Sequence, residues 1–365
     1  MDRRSFLAAG AALPLASAWP GTTAAQARTY APTAGAWRTF EVTTRLDIAN
    51  PGAATQAWIP VPAVNTDWQQ SLASTWTGNM RDAAIDTDPV YGAKLVRAMW
   101  SDDEKAPRIE VVSRIRTRDR SLDWARKTGP AADAAELANA LKPTALLPLD
   151  GIVAATAAKA VAGRTTDVDK TRALYDWVVA NTYREPTVKG CGVGDIKAML
   201  ETGNLGGKCA DLNALFVGLC RAAGIPARDI YGIRVAKSAF GYKDLGAGTA
   251  DISKAQHCRA EVWLTGYGWV AMDPADVAKV MRQETPEWIK DPRHEVAAPV
   301  YTALFGNWEG NWMGYNVAHD LALPGSKGPK VAFLMYPQAE TRGERVDSLD
   351  PDTFKYRITA REIAG

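Results

Sequence analysis

Histidine is scarce in this chain, three residues in 365, and only four cysteines accompany them. No pair among them has zinc-ligand spacing, so the usual metal-site signatures are missing. No Gly-x-Ser-x-Gly elbow and no EF-hand loop occurs, which removes the common marks of a serine hydrolase and of a calcium sensor. Charge of one sign is also lacking: the formal net charge is +2 and there are no basic runs, leaving no electrostatic footprint for nucleic acid. Beyond residue 27 no apolar stretch is long enough to cross a bilayer. What is present is a 47% hydrophobic chain whose length suggests two or three domains. Its thirteen tryptophans fall mostly singly in strand-like or aromatic stretches, as core packing would place them.

The first 27 residues read as a targeting segment. Arg3-Arg4-Ser5-Phe6-Leu7 is a twin-arginine pattern, an apolar run follows over 8–18, and Ala25-Gln26-Ala27 is a small-residue cleavage site, with cleavage after Ala18 as the alternative. Gly10 and Pro14 interrupt the run, so it is too short to persist as an anchor. The expected product is a periplasmic or secreted protein with no stable membrane anchor after cleavage.

Residues 28–125 read as a β-sandwich domain. One parity of 40–48 is mostly apolar and the other polar, Asn50-Pro51-Gly52 turns the chain, and further strands are expected over 56–61, 94–100 and 109–117. The prolines in Trp58-Ile59-Pro60-Val61-Pro62 cannot donate ladder bonds and predict an edge strand. Helices take over in a core expected to span 126–290: over 133–141, 150–162, from a Thr166 or Asp167 cap to Asn181, briefly over 194–200, and in part over 276–290. Residues 291–365 are expected to carry an aromatic segment from Phe305 to Tyr315 and a small C-terminal sheet over 331–336 and 354–359. That segment either folds back on the core or walls a substrate cleft. His294 and His319 have no motif around them and are expected at the surface.

The chemistry concentrates in Gly206-Gly207-Lys208-Cys209-Ala210-Asp211-Leu212. From Leu212 the apolar residues recur as Leu215, Phe216, Leu219 and Ala223, the spacing of one buried helical face, and Gly224-Ile225-Pro226 ends the helix. Cys209 therefore sits in the first helical turn, where unpaired N–H groups and the positive dipole end favour a thiolate. The glycine pair would let another backbone or a substrate approach closely.

A nucleophile needs a base, and the base an orienting group. His257 lies in Gln256-His257-Cys258-Arg259-Ala260-Glu261-Val262-Trp263-Leu264, which reads as a strand, and a second strand, Trp269-Val270-Ala271-Met272-Asp273, is stopped by Pro274. If Leu264 faces Gly268 across the three-residue loop Thr265-Gly266-Tyr267, Asp273 falls opposite Arg259 and diagonal to His257 on one face. A two-residue loop would separate them.

These motifs, together with Lys189-Gly190-Cys191-Gly192 and Arg221-Ala222-Ala223-Gly224-Ile225-Pro226-Ala227-Arg228, resemble the bacterial transglutaminase-like family, in order over about a hundred residues. The resemblance implies an α+β fold with a papain-like core, Cys209 as nucleophile, His257 as general base and Asp273 as its orienting carboxylate. Animal members carry a tryptophan upstream of the cysteine that helps hold the oxyanion; here Asn204, Leu205, Gly206 and Gly207 stand nearby. The Cys209 N–H and the Asn204 amide are the expected oxyanion donors.

The reaction implied is thiol acyl transfer on a peptide or protein amide without a cofactor, with water or an amine as second nucleophile. The rival from another class is a binding or assembly protein that keeps the fold without turnover. Cys220 lies too far along the helix to bridge Cys209 and is expected as packing. Cys258, on the strand face opposite His257, either pairs with Cys191 in an oxidising compartment or both stay free thiols. The glycine-rich connection over 237–253 is long enough to form a flap over the site.

Overall fold

The computed structural model describes residues 28–364 apart from 50, 52, 53, 132 and 353. The targeting segment and most of the Asn50–Gly52 turn lie outside the described residues. In chain order the first strands are β1 (Arg38–Ile48), β2 (Gln56–Val61), β3 (Gln69–Gly78), β4 (Asp82–Thr87), β5 (Lys94–Met99) and β6 (Arg108–Thr117). β1 buries Phe40, Val42, Leu46 and Ile48, the parity its alternation predicts. β3 and β4 were not expected as strands. Both are sheet edges, mostly exposed and rich in polar or small residues, so neither has an apolar parity to betray it.

Next come α1 (Ala134–Asn139), capped by the Asp133 carboxylate, α2 (Gly151–Ala160) and α3 (Asp167–Asn181), capped by the Thr166 hydroxyl. β7 (Tyr183–Arg184), α4 (Ile196–Thr202), β8 (Gly206–Gly207) and α5 (Cys209–Ala222) follow. The chain continues through β9 (Ala227–Arg234), β10 (Gln256–Leu264), β11 (Gly268–Met272) and α6 (Pro274–Lys279), which runs on as a π turn over Val280–Glu284. The last elements are α7 (Ala298–Ala303), β12 (Phe305–Gly306), β13 (Trp312–Asn316), β14 (Gln338–Thr341), β15 (Glu344–Arg345) and β16 (Phe354–Ile363).

The core is one antiparallel sheet in the order β12-β11-β10-β9-β13, against which α5 packs. An amphipathic helix was expected, yet α5 is buried nearly all round. Its sheet-facing side meets β9 and β10, and α2, α3 and α4 cover the rest. Cys220 lies wholly inside this core, as packing requires.

Apart from the short β7–β8 pair, the remaining strands form two further sheets, β16-β1-β6-β3 and β15-β14-β2-β5-β4, stacked over a shared apolar cluster that includes Leu46, Ile59, Val96, Val111 and Phe354. This corrects three expectations. The C-terminal strands do not form a separate small sheet: β16 pairs with β1 from Thr39↔Ile363 to Ile48↔Phe354, completing the N-terminal sandwich. Residues 331–336 are not a strand but make one isolated bridge, Leu321↔Val331. The aromatic segment folds back on the core and supplies two strands of its sheet, so the core continues past residue 290 to Asn316. These pairings join residues far apart in sequence, which no local pattern encodes.

β2 is central rather than an edge, but its prolines still obey the rule behind that expectation. β14 covers only Gln56, Ala57 and Trp58, and Pro60 lies beyond its end. His294 is exposed as expected. His319 is not: it is buried against Tyr231, 3.4 Å from Asp229, and burial together with Arg221 lowers its pKa to about 3. Among the described residues no helix is long and apolar enough to cross a membrane.

Candidate active site

The site begins where two short backbone segments meet. β7 and β8 pair in parallel, Tyr183 with Gly206 and Arg184 with Gly207. A Cβ on Gly206 would stand 2.5 Å from the Tyr183 ring and one on Gly207 2.5 Å from the Asp211 Cβ. The glycine pair therefore admits Tyr183 and Asp211 rather than a substrate. Asp211 Oδ1 accepts from the Val193 and Gly194 N–H groups, each at 2.9 Å, and its Oδ2 accepts from the Lys208 N–H at 2.9 Å. With the Ala210 N–H donating to the Cys191 carbonyl at 2.9 Å, these bonds clamp the Cys191 loop to the start of α5. Cys209 is the first residue of the helix and lines an open cleft of about 750 Å³.

The hairpin closes with Leu264 opposite Gly268, so the loop is Thr265-Gly266-Tyr267 and has the odd length that places Asp273 on the face of His257. His257 Nε2 lies 2.7 Å from Asp273 Oδ2 and 3.4 Å from Asp276 Oδ2. Nδ1 is thereby left for the thiol of Cys209, with which the imidazole interacts. The structure thus brings Cys209, His257 and Asp273 together. Asn204 it does not: that side chain is exposed, and its Oδ1 accepts from the Gly206 N–H at 3.3 Å and the Tyr183 hydroxyl at 3.4 Å. The Cys209 N–H lies in the first turn, where helical N–H groups lack intrahelical acceptors.

Several residues that hold this arrangement escaped the sequence reading. Asn213, one turn along α5 from Cys209, is fully buried; its Nδ2 donates to Asp273 Oδ1 at 3.1 Å and to the Cys258 carbonyl at 2.9 Å, while its Oδ1 accepts from the Ala275 N–H. A lone asparagine inside an apolar helical face was the available signal. Trp312 Nε1 donates to the His257 carbonyl at 2.9 Å, so the aromatic segment braces the histidine from behind. Arg234 donates to Asp276 Oδ1 at 2.6 Å, and the Arg259 guanidinium stacks on Trp308 and Trp312 with its Nε 3.8 Å from Asp273.

Charge follows from this geometry. Burial disfavours an imidazolium at His257, but Asp276 and Asp273 outweigh it and the nearby Arg234, raising the pKa to about 9. Burial is likewise overcome at Asp276, where Arg234 and then His257 hold the carboxyl well below the usual range. Cys209 is held well below an ordinary thiol by hydrogen bonds from the Cys191 and Cys258 thiols and by His257, against burial. Those two donors are pushed up. No disulfide joins them, and the Cys191 thiol donates to the Gln256 carbonyl at 3.4 Å. His257, Asp273 and Asp276 could offer a cation ligand atoms within 4.8 Å of one another. Two guanidiniums already supply positive charge beside these carboxylates, which suits an imidazolium better than a metal ion.

Cys209 is therefore ionised to a far greater extent than an ordinary thiol at pH 6. An ordinary thiol of pKa about 8.5 is only about 0.3% ionised there. Cys209 is expected to react with iodoacetamide roughly 10 to 100 times faster than free cysteine at pH 6, at a rate that stays flat to pH 8 and changes near 9 as His257 loses its proton. Peptide mapping by mass spectrometry assigns the label. A rate climbing tenfold per pH unit through pH 8 contradicts the ion pair.

The connection over 237–253 lines one side of the cleft and is anchored through its middle. Tyr242 and Leu245 are buried, the Leu245 carbonyl accepts from Arg234 and Asn311, and the Tyr242 hydroxyl donates to the Val296 carbonyl.

Residues 154–274, which hold all three site residues, match the Transglutaminase-like superfamily. An uncharacterized protein of Haemophilus influenzae is 36% identical over 343 residues, covering 89% of this chain and 91% of that one. The chain therefore carries a transglutaminase-like superfamily domain over residues 154–274 and is related along most of its length to that protein. Among solved structures, a candidate cysteine protease from Cytophaga hutchinsonii superposes with a TM-score of 0.56 at 14% identity, over 91% of this chain and 93% of the other. The fold is therefore shared with that protein along nearly the whole chain. The periplasmic domain of TgpA from Pseudomonas aeruginosa gives a TM-score of 0.34 at 15% identity, over 77% of this chain and 99% of that domain.

Proposed function

We propose that the protein is a thiol acyltransferase or hydrolase acting on peptide or protein amides. The observation that carries this reading is the 2.7 Å contact of His257 Nε2 with Asp273, which turns the other imidazole nitrogen to a cysteine at a helix N-terminus. The Cys209 thiolate attacks the amide carbonyl, whose electrons move to oxygen and meet the Cys209 N–H. As the tetrahedral species collapses, the C–N bond breaks, the His257 imidazolium gives its proton to the departing amine, and a thioester remains. Water or an amine, deprotonated by the now neutral His257, then attacks the thioester and releases Cys209 as thiolate. His257 is again the imidazolium.

Intact-protein mass spectrometry with a mixed library of peptide amides and biotinylated amines tests the reading. A covalent acyl adduct or amine incorporation is expected in wild type and not in Cys209→Ala. Silence across the library, with a slow-alkylating Cys209, would count against it. Export belongs to the same proposal: Arg3-Arg4-Ser5-Phe6-Leu7 and Ala25-Gln26-Ala27 support twin-arginine transport and cleavage after Ala27, which N-terminal sequencing of the mature protein checks.

A further inference from the structure

We propose that Arg184 and Lys208 form a carboxylate-binding subsite beside Cys209, so that the preferred acyl donor is an acidic peptide with a free carboxylate close to the scissile amide. The inference rests on the acyl-transfer reading and names the substrate class it leaves open.

The first observation is an imbalance of charge. The whole chain carries a formal +2, yet the side chains lining the cleft include seven basic residues and one acidic one, Asp251. Internal partners account for part of this. Arg234 is paired with Asp276, Lys189 with Asp347 at 2.8 Å, and Lys279 stands 3.9 Å from Asp244. Asp251 itself is taken by Arg357 at 2.9 Å. Among the described residues Arg184, Lys208, Lys254 and Lys355 have no carboxylate within salt-bridge distance. Lys254 and Lys355 are exposed, where water serves a lysine well; Arg184 and Lys208 are half-buried.

Those two are also neighbours. Arg184 pairs in β7 with Gly207, the residue before Lys208, and Lys208 immediately precedes the nucleophile. Burial and the adjacent Arg184 both lower the Lys208 pKa, the mark of like charges drawn together out of water. The Arg184 guanidinium is oriented by its Nε bond to Gln283 Oε1 at 3.2 Å, while neither terminal nitrogen donates to another of the described residues. An oriented fork with two free N–H faces matches a carboxylate, and the ammonium next to it adds a second donor. Glu185, within Coulombic reach of Lys208, is tied instead to the backbone N–H and hydroxyl of Thr187. Cys209 and Asp211 offset part of the Lys208 charge, but no carboxylate lies within salt-bridge distance of either side chain among the described residues, and a substrate carboxylate supplies that direct partner. Lys254 sits three residues before His257 on the opposite bank, and Lys355 lines the same cleft, so both extend the positive field over an approaching anion.

The test uses pairs of peptide amides identical except for Glu or Gln flanking the scissile amide, with kcat/KM measured for each. Wild type is expected to prefer the Glu peptide by roughly 10-fold or more at low ionic strength. That preference should fall to within about 2-fold in R184Q/K208Q and in about 0.5 M salt. Because the ratio is taken within one protein, a general loss of activity cancels, and R184K, which keeps the charge, should retain the preference. Equal turnover of both peptides by wild type overturns the subsite while leaving acyl transfer intact. If no peptide acylates Cys209, the acyl-transfer reading fails, and calorimetric binding of the same pair to Cys209→Ala decides the subsite by itself. Tighter binding of the Glu peptide that is lost when Arg184 and Lys208 are both neutralised sustains it, and equal binding overturns it.

Discussion

Replacing Cys209 by alanine, or His257 by glutamine, is expected to lower kcat/KM by about 10⁴-fold to 10⁶-fold, and the double variant by no more than either alone. The non-additivity is the informative part. His257 serves the thiol twice, by stabilising the thiolate and by delivering the proton to the leaving amine, so neither residue has a function left once the other is gone. Alkylation separates them. Cys209→Ala removes the reactive sulfur, whereas His257→Gln keeps it but returns it toward an ordinary thiol, with labelling at pH 6 reduced by roughly 10-fold to 100-fold. Circular dichroism should be unchanged in both. A His257→Gln protein within tenfold of wild-type turnover would end the triad reading, whatever the geometry.

The second large effect is on stability. Arg234 and Asp276 are 3% and 1% exposed as side chains, and Arg234→Met leaves the Asp276 carboxylate buried without its guanidinium. A loss of about 3–5 kcal/mol is expected, because an uncompensated buried charge costs more than the pair gains. Urea denaturation measures it, and Arg234→Met/Asp276→Leu should recover most of the loss. A single variant as stable as wild type would show that water or a neighbour replaces the guanidinium.

The same network sets the pH range of the fold. Asp276 is depressed relative to an ordinary carboxylate, so its contribution is present above the unfolded pKa near 3.9 and is lost as pH falls through its lower folded value. His257 is raised, so its contribution is complete below its unfolded value of about 6.5 and disappears as pH rises through about 9. Stability from these two groups is therefore greatest in mildly acidic solution.

Much of this was readable in one dimension because the decisive constraints are local. The helix of Cys209 follows from apolar spacing and the glycine that ends it, and the parity of a hairpin loop alone decides whether Asp273 shares a face with His257. Local spacing likewise located α1, α2 and α3, the last with its Thr166 cap, and the sandwich strands that have one apolar face. Edge strands β3 and β4 stayed hidden because they bury little.

Whatever depends on contacts between distant residues was decided by tertiary structure. Asn204 is two residues before the glycine pair, but the β7–β8 pairing turns it outward. Cys191 and Cys258 are brought near Cys209 and are free thiols. Asn213, Trp312, Asp276 and Arg234 became site residues only when α5, β13, α6 and β9 converged on the hairpin. The sequence by itself determined which residues can do the chemistry, since residue type and short-range period carry that information. Only the folded chain decided their ionisation, because pKa values depend on burial and on charges brought close from far along the chain.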